Sequence, residues 1–336
     1  MKVSINLPVV EDEGSSDPFG TTFELAQVAE DVGFHGVFIG HHHFTPGYET
    51  APWVVLAAVA ARTSSLRLGT SIYLLPTHHP LDVAENVATL DRISGGRVIL
   101  GAGIGYRRYE YDAFELPYHH RGARMSEALE ILPAAWSGEP ISYAGRHFRF
   151  DDVTVYPKPV QEPHPPIWLG AIARKAQERA ARLGDGWMSD IMEPLPREQE
   201  LATRYRQYCQ DAGRPPVVCL LRTAAVASST QELERRWLPD IMSMQLGYWK
   251  AGARGRDDDG VFAKLNRGEQ VPLGEFAHDR LIAGTPDDCI GQIERWREAV
   301  DPDHLLLGLS GAEAGPDGLR GAIELFGREV LPEVSR

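Results

Sequence analysis

Short apolar runs alternate along the chain with longer segments whose apolar positions recur every three to four residues. The short runs are rich in Val, Ile, Leu and Phe, as in buried strands, and the longer segments have the period of helices that bury one face. Gly33 and Gly95 follow two of the helical segments, and Pro52 begins another. The predicted strands are 3–7, 36–40, 66–75, 97–103, 166–171, 186–190, 217–227 and 304–310.

A strand followed by a helix, repeated along the whole chain, predicts parallel βαβ units and an α/β fold. The number of units in 336 residues fits a (β/α)8 TIM barrel, with residues 1–336 as one domain. A doubly wound open sheet is the alternative. The first strand–helix turn lacks the G-x-G-x-x-G pattern of dinucleotide-binding sheets, which disfavours that alternative.

Two segments interrupt the alternation and are interpreted as insertions into the barrel. Residues 138–160, after the fourth strand, alternate polar and apolar positions on both sides of an Ala-Gly turn, which predicts a surface β-hairpin. Residues 250–280, beyond the seventh strand and its helix, are rich in glycine and charge, which predicts a variable loop that serves as a lid.

Composition narrows the possible partners and location. The net charge of −13 disfavours binding to nucleic acid, which depends on clustered Lys and Arg. The N-terminal segment lacks the apolar core of a signal peptide, and no apolar run approaches the roughly 20 residues of a membrane span. The scattered cysteines Cys209, Cys219 and Cys289 favour reduced thiols. We therefore expect a cytoplasmic protein that has a small-molecule substrate.

Three consecutive histidines, His41, His42 and His43, follow the second predicted strand. The active site of a TIM barrel lies at the C-terminal ends of its strands, so these side chains are candidates for chemistry. Metal ligation, acid–base or cofactor contact, and a structural role all fit them. A metal site needs further ligands, and the ends of strands four to six offer Asp190 but no histidine. We therefore predict no metal, and only packing or hydrogen bonding for the loop histidines at 78–79.

Other strand ends are rich in glycine and in small polar residues. The fourth strand ends in GAGIG, where backbone N–H groups can approach a phosphate, although a plain tight turn explains the same pattern. The stretch after the fifth strand opens a helix, whose N-terminus can also meet an anion. The candidate cofactor contacts at these ends are Thr70, Ser71, Ile72, Gly103, Gly105, Tyr106, Gly170, Ala171, Ala173 and Arg174.

Several sequence blocks carry a resemblance to one family. They are HHHFTPG, LRLGTSIYLLPTHHPLDVAENVATLDRISGGRVILGAGIGYRRYEYDAFE, AARLGDGWM and AGTPDDC. They resemble the bacterial luciferase-like flavin-dependent monooxygenases, over most of the chain but less over 225–280. The resemblance implies a (β/α)8 barrel that uses reduced FMN, supplied by a separate flavin reductase, and O2. Such an enzyme oxygenates a small aldehyde, ketone or similar substrate through a C4a-peroxyflavin, and it is commonly a homodimer.

The resemblance also implies roles for individual residues. His42 occupies the position of the family's catalytic histidine, and His41 replaces a glutamate. The family's non-proline cis peptide would fall at Ser71-Ile72.

The phosphate site departs from the family pattern. Ile104 stands where luciferases have an arginine, and Ala173 and Ala176 stand where they have hydroxyl side chains. The basic residues that could compensate are Arg107, Arg108, Arg174 and Lys175.

Two alternative functions follow. A sister branch of the family uses the deazaflavin coenzyme F420 and transfers hydride without oxygen. The acidic tail of that cofactor needs a basic groove, for which the candidates are Arg107, Arg108, Arg121 and Arg124. The alternative of another class is a non-catalytic flavin-binding protein or a metal-dependent barrel hydrolase. In the flavin hypotheses, the residues that either line a substrate pocket or belong to the core are Trp53, Tyr73, Tyr106 and Trp168.

Overall fold

The computed structural model describes residues 1–11, 16–45, 47–252, 260–309 and 315–335. The strands are β1 Lys2–Asn6, β2 Gly36–Ile39, β3 Arg67–Thr70, β4 Tyr73–Leu74, β5 Val98–Gly103, β6 Ile141–Ala144, β7 Arg149–Val153, β8 Ile167–Gly170, β9 Gly186–Met188, β10 Val218–Val226, β11 Ile282–Gly284 and β12 His304–Leu309.

Helices follow nearly all of these strands. They are α1 Gly20–Asp31, α2 Pro52–Ala60, α3 Pro80–Ser94, α4 Arg108–Ala113, α5 Arg121–Ala135, α6 Arg174–Leu183, α7 Leu195–Asp211, α8 Thr230–Arg236, α9 Leu238–Lys250, α10 Gly260–Asn266, α11 Leu273–Ala277, α12 Pro286–Val300, α13 Gly315–Glu329 and α14 Leu331–Val334, with 3₁₀ helices at Leu75–Thr77 and Tyr118–His120. Within the described ranges, no helix has both the length and the apolar character that a bilayer crossing needs.

Eight parallel strands form a closed barrel surrounded by helices, which confirms the predicted (β/α)8 TIM barrel. Each predicted strand range overlaps one of the barrel strands, which are β1, β2, β3, β5, β8, β9, β10 and β12, and the first range is displaced from β1 by one residue. The third predicted strand, 66–75, is divided into β3 and β4 by the residues at 71–72. β11 was not predicted; it pairs in parallel with the end of β10.

One compact unit comprises residues 36–188 and 204–218 and holds β2, β3, β5, β8 and β9 as neighbouring strands. Close packing between these strands requires glycine at two positions. A Cβ on Gly69 would lie 2.2 Å from the Phe38 ring, and a Cβ on Gly101 would lie 1.8 Å from the Thr70 carbonyl oxygen. Because the strands are parallel neighbours, their C-terminal ends lie side by side in this unit.

The second compact unit comprises residues 1–35, 189–203 and 219–336. In it β12 pairs with both β1 and β10. Arg222 of β10 forms a fully buried ion pair of 2.9 Å with Glu198 of α7 and lies over the Trp296 ring. Asp190, the polar candidate after the sixth barrel strand, accepts a hydrogen bond from the Met192 N–H. The interpretation of residues 1–336 as a single domain stays a prediction.

Both predicted insertions fall where the sequence pattern changes. β6 and β7 pair in antiparallel fashion, which confirms the hairpin predicted at 138–160. The described part of 250–280 is more ordered than predicted, because it contains α10 and α11 in place of a loop. The acidic run at 257–259 lies outside the described residues, and the lid role stays a prediction.

Helix α12 begins with a capping box formed by Thr285 and Asp288. The Thr285 hydroxyl accepts from the Asp288 N–H, and the Asp288 carboxylate accepts from the Thr285 N–H. We expect Thr285→Ala to lower the free energy of unfolding by about 1 kcal/mol. Chemical denaturation measures the change. The matched control is Thr203→Ala, which removes an exposed hydroxyl within α7, and an equal loss in both variants would contradict the capping role.

Candidate active site at the strand ends

The predicted site residues lie in the unit that spans 36–188, at the ends of β2, β3, β5 and β8 and in the segments that follow them. Pairing of Leu100 with Ile167 and of Ala102 with Leu169 places the end of β5 beside that of β8. β4 pairs with Ala102 and Gly103, so the segment after β3 also ends beside β5. The structure therefore brings the candidates from the third, fourth and fifth barrel strands together.

His42 is held by a carboxylate that the sequence analysis missed. Its Nδ1 lies 3.0 Å from Oε1 of Glu110, and the same oxygen accepts the His43 N–H across 3.0 Å. Glu110 belongs to α4 and is fully buried. A carboxylate that accepts at Nδ1 orients the imidazole and leaves its Nε2 for another partner.

Aromatic rings enclose the His42 imidazole. Tyr48 contacts it edge to face at 4.8 Å between centroids, and Tyr106 does so at 5.7 Å. Burial raises the pKa of Tyr106 to about 12, so its phenol is neutral at physiological pH. Only 9% of the His42 surface is exposed to solvent.

The segment after β3 has the backbone that the family resemblance implies, with a cis peptide at Ser71-Ile72. The Ile72 side chain packs where glycines leave room: a Cβ on Gly103 would lie 2.4 Å from it, and a Cβ on Gly170 would lie 3.1 Å from it. The Thr70 hydroxyl donates to the Gly101 carbonyl across 2.7 Å. These contacts set the position of the Ser71-Ile72 backbone beside β5 and β8.

The predicted phosphate region consists of a left-handed turn and a helix N-terminus. Gly105 has a φ of +67°, a conformation that glycine adopts without strain. The Ala171 carbonyl accepts the Trp187 indole N–H, and Ala173 is the N-cap of α6 without a side-chain cap. Arg174, the first residue of α6, is exposed. An uncapped N-terminus beside a cation suits an anion, and the phosphate site at these residues stays a prediction.

The arginines proposed to form a basic groove are largely engaged by other groups. Arg108 pairs with Asp112 one turn on in α4. Arg121 lies 3.8 Å from the centre of the Tyr118 ring, and Arg124 donates to the Pro76 carbonyl. The groove therefore stays a prediction that these contacts do not favour.

His41 and His43 meet His78 in a cluster whose ring nitrogens lie within 4.8 Å of one another. Burial lowers the pKa of His41 to about 2 and that of His78 to about 4, so both rings are neutral. Three imidazoles are a possible metal ligand set. However, Nδ1 of His41 accepts the Leu74 N–H, which leaves its proton on Nε2 and removes that lone pair. The arrangement suits a packed polar cluster, and the absence of a metal stays a prediction.

The proposed pocket aromatics lie mostly in the core. Trp168 stacks on Phe38 at 5.9 Å, and Trp53 packs 5.2 Å from Tyr73, which lies against His41. Only Tyr106 of that set contacts His42. Most residues of α2 are buried within the unit, and the homodimer that the family resemblance implies stays a prediction.

Comparison with known proteins identifies relatives along nearly the whole chain. A family model described as luciferase-like monooxygenase matches residues 1–301. The F420-dependent hydroxymycolic acid dehydrogenase of Mycobacterium tuberculosis is 34% identical over 316 residues, which cover 92% of this chain and 83% of the relative. The F420-dependent glucose-6-phosphate dehydrogenase of Nakamurella multipartita is 27% identical, covering 96% and 95%.

A solved structure agrees with these matches. The monooxygenase RslO1 from Streptomyces bottropensis superposes with a TM-score of 0.81 at 29% identity, and the alignment covers 99% of each chain. The family match, the barrel and the cis peptide agree with the resemblance found in the sequence. The chain belongs to the luciferase-like monooxygenase family of oxidoreductases.

Proposed function

We propose that the protein is an oxidoreductase that transfers hydride between coenzyme F420 and an alcohol or carbonyl carbon of a small-molecule substrate. The observation that carries this proposal is the hydrogen bond between His42 and the fully buried Glu110. Hydride transfer at an alcohol carbon requires proton transfer at its oxygen, and an imidazole oriented by a carboxylate suits that step. The chain is 34% identical to a relative named as an F420-dependent dehydrogenase, which also supports F420 as the cofactor.

The side chains around His42 have separate tasks in this proposal. Glu110 holds the proton of His42 at Nδ1, so that Nε2 can accept the proton of a substrate hydroxyl and return it in the reverse direction. Tyr48 and Tyr106 keep water from the imidazole. Bound F420 would supply the hydride chemistry.

The strand ends fit a planar cofactor that carries a phosphate. Ile72 is packed against Gly103 and Gly170, a cradle that an added Cβ would fill. The N-terminus of α6 offers uncapped N–H groups next to the exposed Arg174 and Lys175. We propose the predicted cofactor contacts at these ends as the binding site.

A second candidate is the reduced-FMN monooxygenase that the sequence resemblance implies, with O2 and a separate flavin reductase as partners. The alignment with a monooxygenase at 29% identity over the whole chain favours it. The aromatic enclosure of His42 is also suited to an oxygenation that must exclude water.

Anaerobic titration of the full-length protein with each cofactor distinguishes the two candidates. We expect oxidised F420 to bind at least about tenfold more tightly than reduced FMN, a difference of about 1.4 kcal/mol. We also expect a panel of secondary alcohols to bleach bound F420 in the absence of oxygen.

Two results of this titration would contradict the proposed F420-dependent hydride transfer. Tight binding of reduced FMN, with product formed only after oxygen is admitted, would contradict hydride transfer and support the monooxygenase. Binding of neither cofactor would contradict both candidates.

A further inference from the structure

Arg107 places a positive charge over Tyr48 and Tyr106, the two rings that contact His42, and no carboxylate among the described residues forms an ion pair with it. Its Nη1 donates to the Thr45 hydroxyl across 2.7 Å and to the Tyr109 hydroxyl across 3.2 Å. Its guanidinium lies over the ring of Tyr48 at 4.9 Å, and Tyr48 contacts His42. Half-buried guanidinium groups normally pair with anions, and the partners here are neutral hydroxyls and aromatic rings. The arginine is therefore held in place by hydroxyl and aromatic groups, without an ion pair to a carboxylate among the described residues.

A group of exposed aromatic side chains lies next to Arg107 on the protein surface. Phe44 is 59% exposed, Tyr109 is 45% exposed and Phe114 is 38% exposed. The Phe44 and Phe114 rings lie 5.4 Å apart, and Phe114 contacts His43 at 4.7 Å. The Tyr109 hydroxyl contacts Thr45 at 2.5 Å. Contiguous exposed apolar side chains of this kind mark a binding surface.

The backbone at Phe44 shows that the exposure is built into the fold. Phe44 has a φ of +56°, in the left-handed region that a bulky L-residue adopts only with strain. Strain of this kind persists where surrounding structure enforces it, and it concentrates at ligand-binding sites. Here it places an apolar ring in solvent next to His43 and Phe114.

We propose that these residues form the substrate-binding site for an organic carboxylate with an aromatic body. Arg107 binds the carboxylate, and the patch of Phe44, Tyr109 and Phe114 contacts the aromatic body. The charge argument favours this over a neutral lipid-like substrate, because a neutral ligand would cover the Arg107 guanidinium without supplying the anionic partner that its hydroxyl and aromatic contacts lack. The proposal rests on the proposed function only in placing the substrate next to His42.

The test measures binding without turnover, with the full-length protein and two probes of equal shape. Isothermal titration compares 2-naphthoate with the neutral 2-naphthamide, with and without bound cofactor. We expect the wild type to prefer the carboxylate, and Arg107→Gln to lose that preference by about tenfold or more, as for a hydrogen bond to a charged group. The matched control is Arg108→Gln, which changes the exposed neighbour that pairs with Asp112 and should keep the preference.

Three results would overturn the proposal. The first is a wild type that binds both probes equally, which needs no variant to fold. The second is an Arg107→Gln variant that melts as the wild type does and still prefers 2-naphthoate. The third is a Phe44→Ser variant that changes the sedimentation mass but not the binding, since that would assign the patch to contact with a second copy of the chain. Each result is independent of which cofactor the protein uses.

Discussion

Replacing His42 by alanine is expected to lower kcat/KM by about 100- to 10,000-fold, the range for removing a positioned acid–base group. The imidazole is the titratable side chain that Glu110 orients and that Tyr48 and Tyr106 enclose. The Kd of the cofactor should change by less than about threefold, because His42 acts in the chemical step and the loss in kcat/KM does not come from weaker cofactor binding. Single-turnover kinetics with saturating cofactor measures the first quantity, and equilibrium titration measures the second.

Glu110→Gln should reproduce part of this loss, because the amide keeps the shape of the carboxylate but not its charge. In the double variant the two losses should not add, since Glu110 acts through His42. The matched control is Glu115→Gln, an exposed glutamate just beyond the end of α4. Additive losses, or an unchanged rate in His42→Ala, would contradict the acid–base pair for either cofactor.

The barrel could be predicted because buried strands and helix ends each have a local pattern of residues in the sequence. Each strand is a short run of Val, Ile or Leu, and the helix ends carry their own signals, such as the left-handed Gly95 after α3. The division between β3 and β4 has no such local pattern in the sequence. The sequence analysis predicted one strand over 66–75. The cis peptide at Ser71-Ile72, which lies between β3 and β4, was predicted only from the family resemblance, and the structure has it there.

The candidate site was predictable only in part, because residues that are far apart in the sequence contact each other only in the folded chain. His42 and Glu110 are 68 residues apart. Glu110 lies within the run YRRYEYDAF, where an aromatic residue on each side is all that distinguishes it from the exposed Asp112 two residues on. His78 was assigned to packing, and only the turn at Leu75–Thr77 that follows the cis peptide brings it to His41 and His43. The flanking aromatic residues of α4 are the one signal that favours burial of Glu110.

Gly101→Ala is expected to lower the free energy of unfolding by about 3 kcal/mol or more, at the upper end of the cost of overpacking. The added Cβ would lie 1.8 Å from the Thr70 carbonyl oxygen and 2.9 Å from Sδ of Met188. A backbone carbonyl cannot rotate away as a side chain can, so β3 and β5 must separate. That separation breaks the hydrogen bond from the Thr70 hydroxyl to the Gly101 carbonyl and displaces the Ser71-Ile72 backbone.

A glycine-to-alanine substitution in a helix should instead raise the free energy of unfolding, so a helical glycine provides the control for Gly101→Ala. Gly291 lies on the exposed face of α12, and no described atom beyond its chain neighbours and the backbone of the helix lies within 4 Å of the position that an added methyl group would take. Gly291→Ala should therefore raise the free energy of unfolding by up to about 1 kcal/mol, through the higher helix propensity of alanine. Urea denaturation of both variants tests the pair. A Gly101→Ala protein as stable as the wild type would show that β3 and β5 do not pack as closely as the structure has them, and the packing of Ile72 against Gly103 and Gly170 would lose its support.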